Sequence, residues 1–416
     1  MNKIAIIGLG YVGLPLAVEF SKKYDVIGFD INQTRVDELC AGNDGTLEIN
    51  KDDLQSALIS GALSFTSDIN ELNNREVFII TVPTPINEFK SPDLTPLRSA
   101  SRSVGGVMQR DALVIYESTT YPGCTEEICV PELEDASGFI FNKDFFVGYS
   151  PERIVPGDKV HGLVNIPKVT SGSTSEIAIK VNDLYSSIIV AGTHSAPSIK
   201  VAEASKLVEN CQRDVNISLV NELTYIFDRV GISIFDVLDA SATKWNFIKL
   251  VPGLVGGHCI SVDPYYMVHK AQSLNYHPEV ITSGRRVNEA MPAFLASKLV
   301  KELILRGKAP TTCKCLVLGL TFKEDCPDMR NSKSIDLVNE LQDFGLQIEV
   351  NDPVAQMPLD MNIRSIQDLS TYDLVVLAVP HLNYLDMNLE NLLKDDQSFV
   401  FDFKKALPKK DWILSL

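Results

Sequence analysis

Three glycines near the start of the chain restrict its fold more than any other feature. Gly8, Gly10 and Gly13 form the pattern G-x-G-x-x-G. The pattern begins where the short apolar run KIAIIG (residues 3–8) ends, and a helical segment at residues 14–23 follows it. In a parallel α/β sheet the first glycine allows a tight turn, the second lets the backbone approach a pyrophosphate, and the third lets helix and strand pack closely. The free amides of the helix N-terminus then receive the phosphate charge.

An acidic residue further along supports a dinucleotide site. Residues 25–30 predict a second strand, and Asp30 is its last residue. A carboxylate at this place accepts hydrogen bonds from the ribose hydroxyls of NAD, whereas the 2′-phosphate of NADP needs a basic residue nearby. Because Ile31 and Asn32 follow the acid, the sequence predicts NAD as the cofactor.

The alternation of strands and helices predicts the architecture. Strand-like runs separated by helical segments recur in the first half of the chain, and a second such pattern begins near Lys314. Between them, residues 199–230 contain no Gly or Pro and repeat apolar residues at helical spacing, which predicts one long helix. We therefore predict an α/β protein in which two Rossmann-like doubly wound domains are joined by a central long helix and a helical region. The predicted domains are 1–195, 196–305 and 306–416.

Composition excludes several classes of function. The chain has 38 basic and 54 acidic residues, a formal charge of −16, so general binding to nucleic acid is not expected. No apolar run approaches the ~18 residues that span a bilayer, and the N-terminus is unlike a signal peptide. Eight scattered cysteines without C-x-x-C pairs predict reduced thiols in a cytoplasmic protein and no metal site. Any anionic ligand must be bound by a local basic cluster or by backbone amides.

The segment GLVGGHCISVDPYY at residues 253–266 contains the first candidate for chemistry. Gly256 and Gly257 let the backbone crowd a ligand, and Cys259 follows them. Asp263 lies four residues later, so the two side chains share a face if a helix starts here. A cysteine in this setting can act as a covalent nucleophile. A buried structural cysteine is the competing interpretation and the commoner fate of cysteine.

Other polar residues occupy places where ligands bind. Lys206 and Asn210 lie one helical turn apart and can polarise an oxyanion, although a solvated helix face is the ordinary alternative. Glu152 follows a predicted strand, where ligands of open α/β sheets bind, although a surface loop acid is the commoner case for such a residue. Ser118, Thr119 and Thr120 follow another strand in the same way.

Taken in order, seven motifs resemble those of the UDP-glucose/UDP-mannuronate dehydrogenase family. They are GLGYVGLP at 8–15, VPTP at 82–85, STT at 118–120, YSPER at 149–153, EASKLVEN at 203–210, GGHCISVDPYY at 256–266 and GLTFKEDCPDMRNS at 319–332. The likeness covers nearly the whole chain. YSPERIVPGD at 149–158 and TKWNF at 243–247 are most similar to the branch of UDP-N-acetylhexosamine 6-dehydrogenases.

The resemblance implies an NAD-dependent four-electron oxidation of the sugar C6 alcohol to a carboxylate, supplying surface polysaccharide precursors. Cys259 would capture the aldehyde as a thiohemiacetal and later form a thioester. Lys206 would stabilise the C6 oxyanion with Asn210 as a helper. Thr119 and Asp263 would position a water, and Glu152 would act as general base in thioester hydrolysis.

The resemblance also assigns the ligand contacts. Beyond the glycines and Asp30, it implies cofactor contacts at Tyr11, Val12, Arg35, Thr84, Thr120 and Arg330. It implies UDP-sugar contacts at Arg153, Lys206, Asn210, Phe247, Gly256, Phe322 and Lys323. The first predicted domain would then bind NAD, the central one would carry the cysteine loop and the dimer contact, and the last would bind UDP-sugar.

Three alternatives remain open at this point. The substrate can be UDP-glucose or UDP-N-acetylmannosamine with the same machinery, because the sequence does not fix the orientation of the 2-acetamido group. The chain can be an inactive NAD-binding regulatory protein, or a two-electron hydroxyacid dehydrogenase that needs no cysteine. The helix at residues 199–230 carries apolar residues on more than one face, so we expect a homodimer or larger assembly.

Overall fold

The structure, a computed structural model, describes residues 2–154, 162–355 and 369–416. Residues 155–158, the last four of the motif YSPERIVPGD at 149–158, lie outside the described residues. The chain divides into two compact units, one made of Met1–Glu209 and Tyr265–Asn275 and the other of Asn210–Pro264 and Tyr276–Leu416. The division into three domains at residues 195 and 305 stays a prediction.

The first unit is built on an eight-stranded sheet whose strands follow the order β3-β2-β1-β4-β5-β6-β7-β8. Every pairing is parallel except that of β6 with β7, which is antiparallel. The strand order reverses between β1 and β4, which is where ligands of doubly wound sheets bind. The strands are β1 (Lys3–Ile7), β2 (Asp25–Phe29), β3 (Leu63–Thr66), β4 (Val77–Ile80), β5 (Ala112–Tyr116), β6 (Phe145–Tyr149), β7 (Lys168–Gly172) and β8 (Thr193–Ser195).

Helices cover this sheet because its strands are apolar on both faces. Four of the five residues of β1, from Ile4 to Ile7, are buried, as are all residues of β4 and β5. Leu14, Leu16 and other residues of α1 pack into the same core. The helices are α1 (Gly13–Ser21), α2 (Gln33–Cys40), α3 (Lys51–Ile59), α4 (Thr95–Val107), α5 (Val130–Ser137) and α6 (Ser175–Ser186).

The long helix of the sequence prediction is α7 (Ile199–Val230), with 32 residues. Its length is possible because no Gly or Pro interrupts it, and Gly231 follows with a φ of +78° that ends the helix. Residues of both units lie on α7, and the same holds for α9 (Asp263–Ser273).

The second unit contains a parallel five-stranded sheet with the order β10-β9-β11-β12-β13. This confirms the prediction of a second Rossmann-like sheet. Its strands are β9 (Lys314–Leu318), β10 (Gln347–Asn351), β11 (Leu374–Leu377), β12 (Phe399–Asp402) and β13 (Ile413–Leu414). Its further helices are α8 (Ile234–Ser241), α10 (Glu279–Glu289), α11 (Met291–Leu305), α12 (Lys333–Asp343) and α13 (Leu382–Leu385). Short 3₁₀ segments occur at Ile69–Leu72, Leu163–Asn165, Pro310–Thr312 and Leu389–Leu392, and a π-helical turn at Thr125–Cys129.

Within the described residues, no helix combines the length and the apolar character that crossing a membrane requires.

Candidate active site

The turn after β1 has the geometry that a dinucleotide needs. Gly8 adopts a φ of +94°, and a Cβ on Gly13 would lie 1.8 Å from the Gly8 carbonyl oxygen. Only glycine therefore fits at residue 13, so α1 starts directly against the turn. At Gly10, by contrast, no atom lies within 4 Å of the place where a Cβ would be. This open backbone before the free amides of a helix suits a pyrophosphate.

Asp30 follows β2 and is only half-buried. Its two carboxylate oxygens accept hydrogen bonds from the backbone amides of Leu9 and Asn32, both at 2.9 Å. Arg35 donates to the Leu9 carbonyl oxygen at 3.0 Å and pairs with Asp44 at 2.8 Å, so it supports the turn. The half-buried carboxylate leaves lone pairs for a ribose, and these residues fit NAD. The other predicted cofactor contacts in this region, Tyr11, Val12 and Thr84, are half-buried.

The loop after β5 is held by a buried glutamate of α7. Glu203 is 0% exposed and accepts a hydrogen bond from the Thr120 hydroxyl at 3.1 Å and from both the amide and the hydroxyl of Thr125. Burial raises the pKa of Glu203. The neighbouring Thr119 is half-buried. Glu203 lies in the motif EASKLVEN, but the sequence does not distinguish it from the acids on helices that are ordinarily exposed.

Glu152, three residues after β6, is a buried group and not a surface loop acid. One carboxylate oxygen accepts hydrogen bonds from the backbone amides of Arg153 at 2.6 Å and Ile154 at 2.7 Å. The other binds the Lys168 ammonium at 2.6 Å. Burial alone would raise the pKa of the Glu152 carboxyl, but Lys168 and the two amides hold it below its ordinary value. The Arg153 guanidinium pairs with Glu209 at 2.8 Å.

In the second unit, the cysteine loop is shaped by the segment at 322–332. A Cβ on Gly256 would lie 2.5 Å from the Asn331 carbonyl oxygen, and one on Gly257 would lie 2.7 Å from the Phe322 ring. The Gly257 amide donates to the same Asn331 carbonyl at 3.2 Å. The motifs at 256–266 and 319–332, which are far apart in the sequence, therefore pack against each other.

Cys259 is half-buried and lies in the turn before α9, which begins at Asp263. The Asp263 amide donates to the Cys259 carbonyl oxygen at 2.8 Å. The Asp263 side chain is 1% exposed and accepts a hydrogen bond from the Asn210 amide group. Lys206, one turn earlier on α7, is buried as well. A solvated helix face is therefore excluded for Lys206 and Asn210.

A charged histidine adjoins the cysteine. His258 Nδ1 lies 3.1 Å from Asp328, which also binds the Arg330 guanidinium at 2.6 Å. Burial works against the charged imidazole, yet hydrogen bonds with Asp328 and with the Cys259 thiol raise the pKa of His258 to about 9. His258 is therefore an imidazolium at neutral pH. His258 is not among the residues predicted from the sequence, although its position directly before Cys259 was a usable signal.

Comparison with known families identifies three consecutive domains. Residues 2–189 match the NAD binding domain of the UDP-glucose/GDP-mannose dehydrogenase family, residues 200–290 its central domain and residues 316–409 its UDP binding domain. The chain belongs to this family. The predicted membership and the predicted NAD-dependent dehydrogenase are thereby confirmed.

Relatives within the family align over almost the full length. The chain is 55% identical over 412 residues to the UDP-N-acetyl-D-glucosamine 6-dehydrogenase of Pseudomonas aeruginosa, with 97% of both chains covered. It is 50% identical to the enzyme of the same name from Salmonella typhi, with 98% and 96% covered. Among solved structures, UDP-D-ManNAc dehydrogenase from Pyrococcus horikoshii matches with a TM-score of 0.89, 30% identity and coverage of 99% and 98%.

The residues expected to act in a dehydrogenase of this family are distributed over both units. Thr119, Glu152 and Lys206 lie in the first unit, whereas Asn210, Cys259 and Asp263 lie in the second. Direct contact is seen between Asn210 and Asp263. Of the remaining predicted contacts in the second unit, Phe247 is 39% exposed, and Phe322 and Lys323 are half-buried.

Proposed function

We propose that the chain is an NAD-dependent UDP-N-acetylhexosamine 6-dehydrogenase that oxidises the C6 alcohol of UDP-GlcNAc or UDP-GalNAc to the carboxylate. Support for an N-acetylhexosamine comes from two relatives, at 55% and 50% identity, that are named for UDP-N-acetyl-D-glucosamine. A mannosamine relative aligns at 34% identity over 395 residues, so the manno substrate is the second candidate.

The cysteine loop is the observation that carries the proposal. Glycines at 256 and 257 are required by the close approach of Phe322 and Asn331, and they place Cys259 half-exposed beside an imidazolium. The thiolate is the nucleophilic form of cysteine. The Cys259 sulfur would add to the C6 aldehyde to give a thiohemiacetal, and loss of the second hydride would leave a thioester.

Asn210, Asp263 and Lys206 supply the polar groups for these steps. The Lys206 ammonium would stabilise the oxygen that carries negative charge when the thiolate adds to the aldehyde. Asn210 would assist, while its hydrogen bond to Asp263 fixes the orientation of both side chains.

Hydrolysis of the thioester needs a base. Glu152 would remove a proton from water as the water attacks the carbonyl carbon, the carbon–sulfur bond would break, and Cys259 would leave as a thiolate. Thr119 and Asp263 would orient that water. The lowered pKa of Glu152 keeps it ionised and able to act as a base.

The turn after β1, together with Asp30, Arg35, Thr84, Thr120 and Arg330, would bind NAD. Two NAD molecules, bound one after the other, would each accept one hydride. Arg153, Phe247, Gly256, Phe322 and Lys323 would bind the UDP-sugar, and basic groups among them match the diphosphate.

The test is the number of NADH molecules formed per sugar consumed, measured across a panel of UDP-sugars. Two NADH per UDP-GlcNAc or UDP-GalNAc are expected, one would indicate a two-electron dehydrogenase, and none would indicate an inactive NAD-binding protein. Cys259→Ala should bind both ligands yet form no acid, whereas Cys259→Ser should accumulate a covalent sugar adduct in intact-protein mass. Near-normal acid formation by Cys259→Ala would overturn the covalent mechanism.

We propose further that the chain is a homodimer or larger, with α7 in the contact between copies. Apolar residues along this helix are exposed, among them Val208 at 56% and Leu219 at 57%. They recur as a stripe that includes Val201, Ile226 and Val230. Sedimentation at micromolar concentration should show a dimer that Leu219→Glu dissociates; a monomer of the unmodified chain would refute the proposal.

A further inference from the structure

Behind Glu152 the first unit buries a second carboxylate that the mechanism above does not use. Glu117, directly after β5, is 2% exposed, and one of its oxygens lies 2.7 Å from the Lys168 ammonium. The same ammonium lies 2.6 Å from Glu152. The hydroxyl of Tyr185, on α6, donates to the other oxygen of Glu117. Two buried carboxyl groups therefore share one ammonium group.

The charges of this cluster do not balance. Two carboxylates and one ammonium leave one negative charge away from water, which is costly unless a proton is taken up. Glu152 is favoured as the ionised partner because two backbone amides also donate to it. For Glu117, burial raises the pKa to about 7 even though Lys168 opposes this. Burial alone would lower the pKa of Lys168, but the two carboxylates raise it above its ordinary value, so Lys168 remains an ammonium.

We propose that Lys168 and Glu117 form an internal proton acceptor that acts through Glu152 during thioester hydrolysis. The inference rests on the proposed function. Glu152 takes a proton from the attacking water, Lys168 accepts that proton while releasing another of its own, and Glu117 receives the released proton. At the end Glu152 is a carboxylate again, Lys168 is still an ammonium and Glu117 is a neutral acid. No electrons are transferred, and after the product leaves the proton passes back through Lys168 and Glu152 to bulk water, which leaves Glu117 a carboxylate again.

Such an acceptor has a clear chemical use. A carboxylate that has just removed a proton from water can return it to the tetrahedral intermediate and reverse the attack. Transfer to Glu117 restores the ionised Glu152 before this happens. A merely structural cluster would need only the shape and the hydrogen bonds of these side chains, and not the ability of Glu117 to bind a proton.

The decisive variant is Glu117→Gln, which keeps the size of the side chain and an oxygen for Lys168 but cannot accept the proton. In a single turnover of the full chain with UDP-GlcNAc and NAD, NADH formation should stay within about twofold of the unmodified protein. Decay of the Cys259 adduct, followed by intact-protein mass after quenching, should slow at least about tenfold, a part of what general-base catalysis contributes. In the unmodified protein the decay rate should rise as the pH increases through about 7, and Glu117→Gln should lack this rise.

Tyr185→Phe provides a second measurement that survives if Glu117→Gln does not fold. It removes a donor that stabilises the Glu117 carboxylate, so the midpoint of the pH profile should move upward while the plateau rate is retained. The proposal is overturned if Glu117→Gln matches the unmodified rate and pH profile, or if Tyr185→Phe folds and leaves the midpoint in place. Failure of the proposed function is a separate result, since no Cys259 adduct would form in any variant.

Discussion

Both units begin their sheet with the same turn, yet only one of the two turns is open to a ligand. In the first unit, Gly8 after β1 has a φ of +94°, and its amide donates to the Phe29 carbonyl at 2.8 Å. In the second, Gly319 after β9 has a φ of +90°, and its amide donates to the Asn351 carbonyl at 2.9 Å. In each case an aspartate following the next strand accepts a hydrogen bond from the residue after the glycine.

The two aspartates differ in what covers them. Asp30 is half-buried, whereas the Asp352 side chain is 1% exposed and lies 3.1 Å from His381 Nε2. The imidazole is fully buried and accepts a hydrogen bond from the Asp325 amide through Nδ1. The same turn is therefore partly exposed in the first unit and covered by side chains in the second. The glycine turn fixes the same backbone conformation in both units, and the side chains that cover the aspartate determine whether a ligand can reach it.

The largest expected effect is that of Gly13→Ala. Its Cβ would lie 1.8 Å from the Gly8 carbonyl oxygen and 2.5 Å from the Thr81 hydroxyl, so the free energy of unfolding should fall by about 4 kcal/mol. Gly10→Ala is the matched control, because its Cβ meets open space; stability should change by less than about 0.5 kcal/mol while NAD binding is lost. Calorimetry of unfolding and of NAD binding checks both. Equal stability of Gly13→Ala and Gly10→Ala would contradict the assignment of the turn after β1 as the dinucleotide site.

Alanine at the first glycine of each turn compares the units directly. Both positions impose a left-handed φ, which costs about 1–2 kcal/mol for a residue with a Cβ. At Gly319 the Cβ would also lie 2.5 Å from that of Val379, whereas at Gly8 the nearest atom is at 3.2 Å. We expect a loss of about 3 kcal/mol for Gly319→Ala and about 1.5 kcal/mol for Gly8→Ala, measured by thermal unfolding. The reverse order would show that the closed turn is the more adaptable one.

Lowering the pH should remove the contribution of Asp352 to the stability of the fold. Burial opposes ionisation of Asp352, but hydrogen bonds from His381 and from the Leu320 and Val354 amides hold its pKa at about 2, against 3.8 ordinarily. This lowered pKa stabilises the fold at pH values above about 4, and the stabilisation is lost as the pH falls toward 2. Asp352→Asn should therefore lose about 2 kcal/mol near neutrality and progressively less in acid, measured by urea unfolding. If the loss of unfolding free energy in Asp352→Asn does not vary with pH, the lowered pKa of Asp352 does not stabilise the fold.

Replacing Asp30, the half-buried aspartate of the first unit, should mainly affect the choice between NAD and NADP. Asp30→Ala should weaken NAD binding about tenfold, through loss of hydrogen bonds to the ribose, and should narrow the preference for NAD over NADP. Calorimetric binding of both nucleotides is the measurement. Asp352→Ala is the control and should leave the ratio of the two affinities unchanged. If the unmodified chain binds NADP as tightly as NAD, the role given to Asp30 is wrong.

Local sequence signals predicted much of this molecule. The strand and helix positions, the uninterrupted α7 and the glycine turn all depend on residues that are close in the chain. The cluster around Glu152 could not be predicted, because Lys168 reaches it through the antiparallel pairing of β6 with β7 in an otherwise parallel sheet. Glu117 is 51 residues away from Lys168 in sequence, and no period or motif indicates their meeting.

The role of Cys259 stays a prediction that the variants above test, and the roles of Lys206 and Glu152 stay predictions as well. His258 shows what a motif alone leaves out. Its place before Cys259 is visible in the sequence, but its charge depends on Asp328, which a separate motif supplies.

The docking of the cysteine loop on residues 322–332 has a consequence for biosynthesis. Gly256 and Gly257 take their places against Phe322 and Asn331, which leave the ribosome later than the loop does. A chain whose synthesis stops before residue 322 contains the cysteine but not the surface that shapes the loop around it. The loop around Cys259 is therefore completed late in translation, and chains truncated before residue 322 would lack its final shape.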